Sequence, residues 1–443
     1  MREAERSLLS RGARLRAEWQ SGMGSLRQRL MIEQQKETNT QWKLLAQRVQ
    51  LAHPEYAELK FPAPLRLQQV QNEILQDNEV LLEFFLGERA LYSFVIGRKN
   101  LYPFLVRIDR EKLTAKVAQL ITSLNGGATS PFDQALAYQL YQILIQPLET
   151  RIAAANQQQE LAALIIVPDG ILHYLPFDAL VAQAPAANGA GRLAGTAFLL
   201  DRYPLTYSPT AALLRNVSKR APAGYSGDLL ALAPFASASN NGVARVPVSY
   251  LDDLAPAGKP VVPAARAPAL PYSAQEIKLI SAHSKNVRAK LNAEATREQL
   301  QHYAGGHRFL HLATFGYLDP QEPLQSAFLL SDGFVRVAEI YNMNLKAELA
   351  VLSASTTKLE DTSSGQDLSG LASAFFHAGT RSLVISLWRS EERTAAELLA
   401  QFYANLNRGM NKAAALRAAK RATRTGTSDH PARWAPFVLL GAR

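Results

Sequence analysis

The residues of this chain that could do chemistry fall around the ends of three apolar runs, at positions 308–314, 349–354 and 383–388. Runs of this length and composition are typical of strands buried on both faces of a parallel sheet. Gly, Ala and Phe at helical spacing over 368–378 separate the last two runs and predict a strand–helix–strand unit. Because catalytic groups collect past the carboxyl ends of such strands, we expect functional residues in loops that start at Phe315 and Ser355.

Ser355 carries a hydroxyl that could attack a carbonyl group, but a serine nucleophile depends on a neighbouring base. Phe315, which follows the preceding run, has no titratable group and cannot supply that base. His311 shares the face of Phe315 but lies about 13 Å back along the same strand, and we interpret it as a hydrogen-bonded core histidine. His377 falls in the helix after Ser355, on a face that we predict to be buried, and is a poor substitute.

No metal or cofactor site is expected from the remaining polar residues. His302, His307 and His311 are closely spaced, but no acidic residue completes a ligand set. The paired carboxylates Glu360 and Asp361 fall in a predicted loop and are interpreted as solvated. The sequence also lacks a phosphate-binding loop with its lysine, a Gly-x-Ser-x-Gly elbow and a His-Glu-x-x-His pair.

Composition excludes several classes of protein. The chain has 443 residues, a hydrophobic fraction of 47% and no cysteine. The lack of cysteine rules out disulfides, cysteine–zinc sites, iron–sulfur clusters and a thiol nucleophile, and it suits a reducing cytoplasm. No apolar run reaches the roughly 18 residues of a membrane span, and the charged residues 1–6 are unlike a signal peptide. We therefore predict a cytoplasmic globular protein without a membrane partner.

Positive charge is concentrated towards the end of the chain, whose net charge is +10. Eight basic residues there are opposed by Asp429 alone: Arg408, Lys412, Arg417, Lys420, Arg421, Arg424, Arg433 and Arg443. A cluster of this kind can bind nucleic acid or an acidic partner. We interpret it as a solvated helix face and keep nucleic-acid binding as the less favoured alternative.

The rest of the sequence predicts a helical segment followed by a mixed α/β domain. Residues 1–60 are helix-prone and lead into a proline-rich linker, with a broken apolar stripe that must pack on another domain or a partner. Runs at 79–85, 90–96 and 101–106 predict an antiparallel meander. Helices are expected at 109–124, 132–155, 273–283, 295–303, 393–407 and 410–424, and further strands at 161–167, 198–207, 228–233 and 434–440.

Two local signals refine this pattern. Asp332 and Gly333 mark a hairpin turn within 327–335. Ser273 and Glu276 form a capping-box pattern at the start of the helix predicted over 273–283. Residues 181–195 and 234–272, rich in Ala, Pro, Gly, Ser and Asn, are interpreted as long loops.

Several short motifs together resemble the CHAT domain, a caspase-type peptidase module often found with tetratricopeptide repeats. In chain order they are Val-Pro-Asp-Gly at 167–170, Leu-Pro-Phe at 175–177, His-Leu-Ala-Thr at 311–314 with Gly316, Leu-Ser-Ala at 352–354, Gly365, Gly370-Leu371, Ala374-Phe375, Ala378-Gly379, Ser-Leu-Trp at 386–388 and Phe402-Tyr403. The resemblance covers roughly residues 75–443. It implies a caspase-like α/β fold, a mostly parallel sheet flanked by helices, here with an antiparallel meander and an N-terminal helical segment.

Active CHAT peptidases carry a histidine at the position of Phe315 and a cysteine at the position of Ser355. The resemblance therefore implies that both halves of the catalytic dyad are replaced, and we expect no catalytic residue in this chain. In active relatives, the loops past the strand ends hold an extended peptide in a groove. Here that groove would be bordered by Thr314, Phe315, Ser355, Thr356 and Trp388.

The favoured hypothesis is an inactive CHAT pseudopeptidase that acts as a protein-binding or regulatory scaffold. Its helical segment would span 1–60 and its CHAT domain 75–443, with the pseudo-catalytic half at about 270–443. Three alternatives remain: a working endopeptidase that uses Ser355, an engineered silent form of a cysteine–histidine peptidase, and a basic adaptor for nucleic acid or an acidic partner. The expected partner is a protein or peptide, with a tetratricopeptide-repeat protein as one candidate.

Overall fold

The computed structural model describes residues 64–157, 159–185, 193, 195–221, 223–237, 243–244, 267–319, 323–357, 366–424 and 429–443, with scattered positions between 33 and 51. The chain divides into two compact units, Met1–Pro64 and Leu65–Arg443. The apolar stripe predicted within 1–60, much of the loop predicted at 234–272, and Glu360, Asp361 and Gly365 lie outside the described residues.

The described strands of the second unit are numbered in chain order. They are β1 Glu79–Leu86, β2 Leu91–Ile96, β3 Leu101–Val106, β4 Ala163–Val167, β5 Leu205–Tyr207, β6 Gly227–Ala233, β7 Val243–Ala244, β8 Ala267–Pro268, β9 Val287–Leu291, β10 His307–Tyr317, β11 Ala327–Leu330, β12 Gly333–Arg336, β13 Leu349–Thr357, β14 Ser382–Ser386 and β15 Phe437–Gly441. β7 and β8 pair with each other, and the other strands form one 13-stranded sheet.

The large sheet has the order β12-β11-β10-β13-β14-β15-β5-β4-β1-β2-β3. β6 pairs with the first half of β10 and carries β9 on its other edge. Most of the pairings are parallel, so the predicted mostly parallel sheet is confirmed, as are the antiparallel meander β1–β3 and the hairpin β11–β12. β15 lies antiparallel to β14 and parallel to β5, between the two halves of the sheet.

Helices flank this sheet. A short helix, Leu67–Gln69, continues as a π-turn, Val70–Ile74, before β1. The helices that follow are α1 Arg110–Asn125, α2 Gln134–Leu144, α3 Glu149–Ala155, α4 Ala211–Ser218, α5 Pro271–Ser281, α6 Arg297–Tyr303, α7 Val337–Ile340, α8 Gln366–His377, α9 Glu392–Asn407, α10 Lys412–Thr423 and α11 Pro431–Trp434.

Several elements differ from the sequence prediction, which did not include α4, α7, α11 or the β7–β8 pair. The helix predicted over 132–155 is interrupted by a 3₁₀ turn, Gln146–Leu148, because Pro147 has no N–H to continue the helical bonding. The strand predicted over 198–207 is reduced to β5, since Leu199–Asp201 forms a 3₁₀ turn. β9 was not predicted, because Arg288 and Lys290 make this edge strand look like a polar loop.

Candidate functional site

The two predicted dyad positions lie side by side in the sheet. β10 and β13 run parallel in continuous register from Phe309 opposite Leu349 to Tyr317 opposite Thr357, and this register pairs Phe315 with Ser355. The prediction that both positions begin loops is wrong, because both strands extend beyond the apolar runs. β13 pairs along this stretch of β10, and β11 pairs with Gly316 and Tyr317 on the other edge, so the backbone groups of β10 are satisfied as strand.

Phe315 fills a small apolar cluster at this end of β10. Its partly buried ring lies 5.3 Å, centroid to centroid, from the ring of Phe235, which follows β6. Leu270 and Leu329 belong to the same cluster, and Phe334 packs on its edge. Phe315 is therefore a packing side chain that neither gives nor takes a proton.

The other groove candidates are distributed between the core and the strand edge. Thr314 is fully buried, and its hydroxyl donates to the carbonyl of Leu329. Trp388 is 3% exposed, and its indole N–H donates to the carbonyl of Ala432 at 3.2 Å. Thr356 pairs with Gly316 in the register of β10 and β13. Thr314 and Trp388 thus belong to the core, and a groove contact for them stays a prediction.

His311, four residues before Phe315 on β10, has both ring nitrogens engaged. Its Nε2 lies 2.6 Å from Oε1 of Glu276 on α5, and its Nδ1 lies 3.2 Å from the hydroxyl of Tyr403 on α9. The ring is fully buried. The prediction of a hydrogen-bonded core histidine is confirmed, and this imidazole is already committed to two partners.

The capping-box prediction for Ser273 and Glu276 is wrong. Pro271 occupies the start of α5 and Leu270 is its N-cap, so the helix begins two residues before Ser273. The hydroxyl of Ser273 donates to the carbonyl of Leu270 at 2.6 Å, and Glu276 is 4% exposed and contacts His311. Spacing could have revealed this role, because Glu276 falls on the same helical stripe as the buried Ile280.

Tyr403 completes this buried cluster and was also absent from the predicted site. Burial raises the pKa of the Tyr403 hydroxyl well above its usual range, and the charge of Glu276 acts in the same direction. The hydroxyl therefore stays protonated, and it is a hydrogen-bonding group for His311 rather than an acid. The cluster joins α5, β10 and α9 through polar contacts in the core.

A small cavity lies beneath the dyad positions. Ala313 and Ser353, register partners two residues before Phe315 and Ser355, line it together with Glu276 and Ser386. Its volume is about 30 Å³. That space suits a water molecule and is too small for a substrate side chain.

Four other described histidines have surroundings of their own. Nδ1 of His307 lies 2.7 Å from the carbonyl of Tyr303, and the ring of His302 packs against the ring of Tyr303. The ring of His377 packs against Tyr341. Burial lowers the pKa of His173 to about 4, and the nearby Asp169 opposes this only in part. Within the described ranges, no group of three side chains is placed to hold a metal ion.

Most of the eight C-terminal cations are bound inside the protein. Lys420 is 1% exposed and pairs with Asp178 at 2.5 Å. The partners of the others are Glu348 for Lys412, the carbonyls of Leu200 and Asp201 for Arg417, the Asp201 carboxylate for Arg424, Glu391 for Arg433 and Glu79 for Arg443. Arg408 and Arg421 are exposed. The interpretation as a solvated helix face is wrong for these six cations, of which five pair with carboxylates and Arg417 donates to backbone carbonyls.

This arrangement limits the chemistry available at the edge of the sheet. The strand position paired with Ser355 offers an apolar ring, and the imidazole on the same strand is held by Glu276 and Tyr403. A hydroxyl nucleophile needs a base within hydrogen-bonding reach. β10 supplies apolar contact surface at this point and no proton acceptor.

Residues 134–442 match the family model of the CHAT domain. The chain belongs to the CHAT domain family. The match begins after β1–β3 and α1, later than the boundary predicted at 75.

One curated protein and two solved structures are similar to parts of this chain. Human tetratricopeptide repeat protein 28 is 27% identical over 121 residues, which are 27% of this chain and 5% of that protein. The Saccharomyces cerevisiae separase–securin complex matches with a TM-score of 0.49 and 11% identity, over 84% of this chain and 31% of that chain. The Arg-specific cysteine proteinase gingipain R matches with a TM-score of 0.38 and 8% identity, over 83% and 78%.

Membrane association was predicted to be absent. None of the helices in the described part of the chain combines the length and the apolar character that a membrane span requires. A cytoplasmic location stays a prediction.

Proposed function

We propose that this protein is a catalytically inactive CHAT domain that binds an extended polypeptide and holds it without cleavage, as a regulatory scaffold. The observation that carries the proposal is the register of β10 and β13, in which Phe315 stands opposite Ser355. We expect active relatives to carry the catalytic histidine and cysteine at these two positions. Peptide hydrolysis needs a nucleophile and a base at this pair of positions.

The loss of turnover follows from proton chemistry. A general base is worth about 10²–10⁴ in rate, and a serine hydroxyl depends on it more than a thiol does. Phe315 has no proton to exchange, and His311 is already engaged by Glu276 and Tyr403. We therefore interpret Ser355 as a small polar residue of strand β13 without a catalytic role.

Polypeptide binding is supported by the kind of surface that replaces the base. The partly buried ring of Phe315 belongs to an apolar cluster with Phe235 and Phe334 at this end of β10. An apolar ring favours contact with side chains of an extended chain without activating its peptide bonds. Ser355 and Thr356 are proposed to border the same groove, and the buried Thr314 and Trp388 are proposed to support it from the core.

A protein that carries tetratricopeptide repeats is the proposed partner. The likeness to human tetratricopeptide repeat protein 28, a protein named for these repeats, supports this choice. The alternative of a nucleic-acid adaptor has little support, because most of the C-terminal cations are paired internally.

Two measurements on the same peptide library test the proposal. After incubation with the library, mass spectrometry should find the same products for the wild type and for the Ser355→Ala control, because neither cleaves the peptides. Retained peptides should bind roughly tenfold more weakly to Phe315→Arg, since a charge replaces the apolar contact. Leu67→Arg, which alters an exposed apolar residue on the helix before β1, should bind as the wild type does.

Cleavage that disappears in Ser355→Ala would identify a working serine peptidase instead. Retention that is equally strong in Phe315→Arg would place the binding surface elsewhere. Either result removes the proposed function.

A further inference from the structure

The meander end of the sheet exposes an apolar surface far from Phe315. Phe85 is 56% exposed, Tyr92 39%, Leu101 40% and Leu105 48%. The register places Phe85 opposite Tyr92 and Tyr92 opposite Leu105, and opposed residues of a sheet share one face. We name this surface the meander face, and it comprises Phe85, Tyr92, Phe94, Leu101 and Leu105.

An open groove of about 650 Å³ runs along the meander face towards the end of β4. The groove is lined by aromatic rings, two prolines and two carboxylates, and its lining includes Phe85, Tyr92, Phe94, Pro168, Glu83 and Asp169. Its volume falls in the range of sites that accept a ligand group of several side chains. The groove is therefore both aromatic and acidic, although the protein as a whole carries a net charge of +10.

The backbone of the edge strand is poorly suited to pairing with another strand. Gly97 and Asn100 exchange two hydrogen bonds at the β2–β3 turn, so the alternation turns the N–H groups of residues 101 and 105 outward. Position 103, which lies between them, also faces outward but is a proline and has no N–H. A partner at this end of the sheet must therefore use side chains on the meander face.

Glu83 is the group that identifies such a partner. It lies opposite Phe94 in the register and is partly buried in the groove. Burial alone raises the pKa of its carboxyl group, and within the described residues no hydrogen bond or ion pair engages it. Two other partly buried carboxylates have cationic partners: Glu73 pairs with Arg215, and Glu348 pairs with Arg381 and Lys412.

Asp169 holds the floor of the groove in place. Its Oδ2 accepts a hydrogen bond of 2.8 Å from the backbone N–H of Leu86, at the end of β1. One carboxylate is thus used for structure, and the other, Glu83, is left facing aromatic rings. A cation placed there would gain an ion pair and contact with ring faces together.

We propose that this groove binds an arginine side chain of a polypeptide partner, whose apolar neighbours cover Phe85 and Tyr92. The planar guanidinium stacks on aromatic rings and pairs with a carboxylate in two-pronged geometry, which an ammonium group does less well. The surface lies at the opposite end of the sheet from Phe315, with β13, β14, β15, β5 and β4 between β10 and β1. It is a second binding surface, independent of the pseudo-catalytic edge.

Fluorescence anisotropy with two labelled peptides tests this site on the full chain. One probe carries a single arginine between leucines, and its twin carries the neutral isostere citrulline at the same place. The arginine probe should bind about tenfold more tightly, which corresponds to one charge-assisted contact. Glu83→Gln should bind the two probes equally, and Phe85→Ala should weaken both.

Two controls keep the result specific. Glu111→Gln removes an exposed carboxylate on α1 and should leave the preference for arginine intact. Phe315→Arg should also leave it intact, so failure here is distinguishable from failure of the function proposed above. The thermal midpoint of each variant reports whether it is folded.

Three results would overturn the proposal. They are equal binding of the two probes to the wild type, an arginine preference that survives Glu83→Gln in a folded protein, and no binding of either probe. Concentration-dependent self-association that is lost in Phe85→Ala would instead assign the meander face to a second copy of this chain.

Discussion

Phe315 and Ser355 are register partners on neighbouring parallel strands. Adjacent strands lie about 4.8 Å apart, so the two positions are separated by a single interstrand spacing. The backbone therefore places the two predicted dyad positions at a spacing that a histidine–cysteine dyad could use. Introducing a histidine and a cysteine at these positions tests whether the two side chains can act together.

The double variant Phe315→His with Ser355→Cys should acquire a reactive thiol. The chain has no cysteine, so the new thiol is unique and its alkylation by iodoacetamide can be followed alone. A nearby imidazolium stabilises the thiolate, and the apparent thiol pKa should fall by about one unit or more relative to Ser355→Cys alone. The measurement is the rate of alkylation as a function of pH. Superimposable profiles for the two variants would show that the positions do not communicate.

Removal of the Glu276 carboxylate should destabilise the core around His311. Glu276→Ala leaves Nε2 of a fully buried ring without its partner, and we expect a loss of about 2–3 kcal/mol in the free energy of unfolding. Glu276→Gln keeps an acceptor and should lose less. Urea denaturation followed by circular dichroism measures both, with the exposed Glu298→Ala as a control that stays within about 0.5 kcal/mol. Equal, near-zero losses in the two Glu276 variants would contradict the cluster.

The stability of the protein should fall in acid because of His173. Burial lowers its folded-state pKa to about 4 from an ordinary 6.5, so the unfolded chain takes up the proton first. The contribution of His173 is complete above about pH 6.5 and is lost as the pH falls towards 4, by roughly 3 kcal/mol in all.

Unfolding free energies measured across this interval check the prediction. His173→Gln should flatten the curve relative to the wild type, whereas the partly exposed His283→Gln should keep the wild-type slope. A slope unchanged by His173→Gln would mean that other groups carry the acid sensitivity.

Removing one partner of the buried pair Lys420–Asp178 should lower the free energy of unfolding strongly, whereas replacing both partners by apolar residues should lower it little. Lys420→Met leaves an unpaired carboxylate that is 3% exposed, and we expect a loss of about 3–5 kcal/mol. Lys420→Met with Asp178→Leu should recover most of it, because the charge and its counter-charge leave together. Arg421→Met, on the exposed side of the same helix, is the matched control. Thermal or urea unfolding distinguishes these cases, and a double variant no better than the single would refute pairing as the cause.

The sequence predicts those parts of the fold that local pattern controls. The apolar runs of β10, β13 and β14, the alternation in β1–β3 and the Asp332–Gly333 turn all carry their signal within a few residues. The ends of β10 and β13 were placed too early. Those ends depend on backbone pairing with strands that are distant in the chain, such as β11.

The candidate site shows the same contrast between local sequence signals and contacts that join distant parts of the chain. Motif spacing predicts dyad positions at 315 and 355, which stays a prediction. The partners of His311 could not be predicted from spacing, since Glu276 and Tyr403 lie 35 and 92 positions away. The C-terminal cations were misjudged for the same reason, because Asp178 lies 242 positions before Lys420. A charge run in a sequence does not reveal which carboxylates the fold will bring to it.

β15 has a consequence for the biosynthesis of this protein. It is made after every other described strand, yet it lies between β14 and β5, where the half of the sheet that contains β10 meets the half that contains β1. During translation, β14 and β5 each keep one unpaired edge until residues 437–441 leave the ribosome. A nascent chain that stalls before that point would present two unpaired strand edges to chaperones, and the sheet would close only when synthesis of this segment ends.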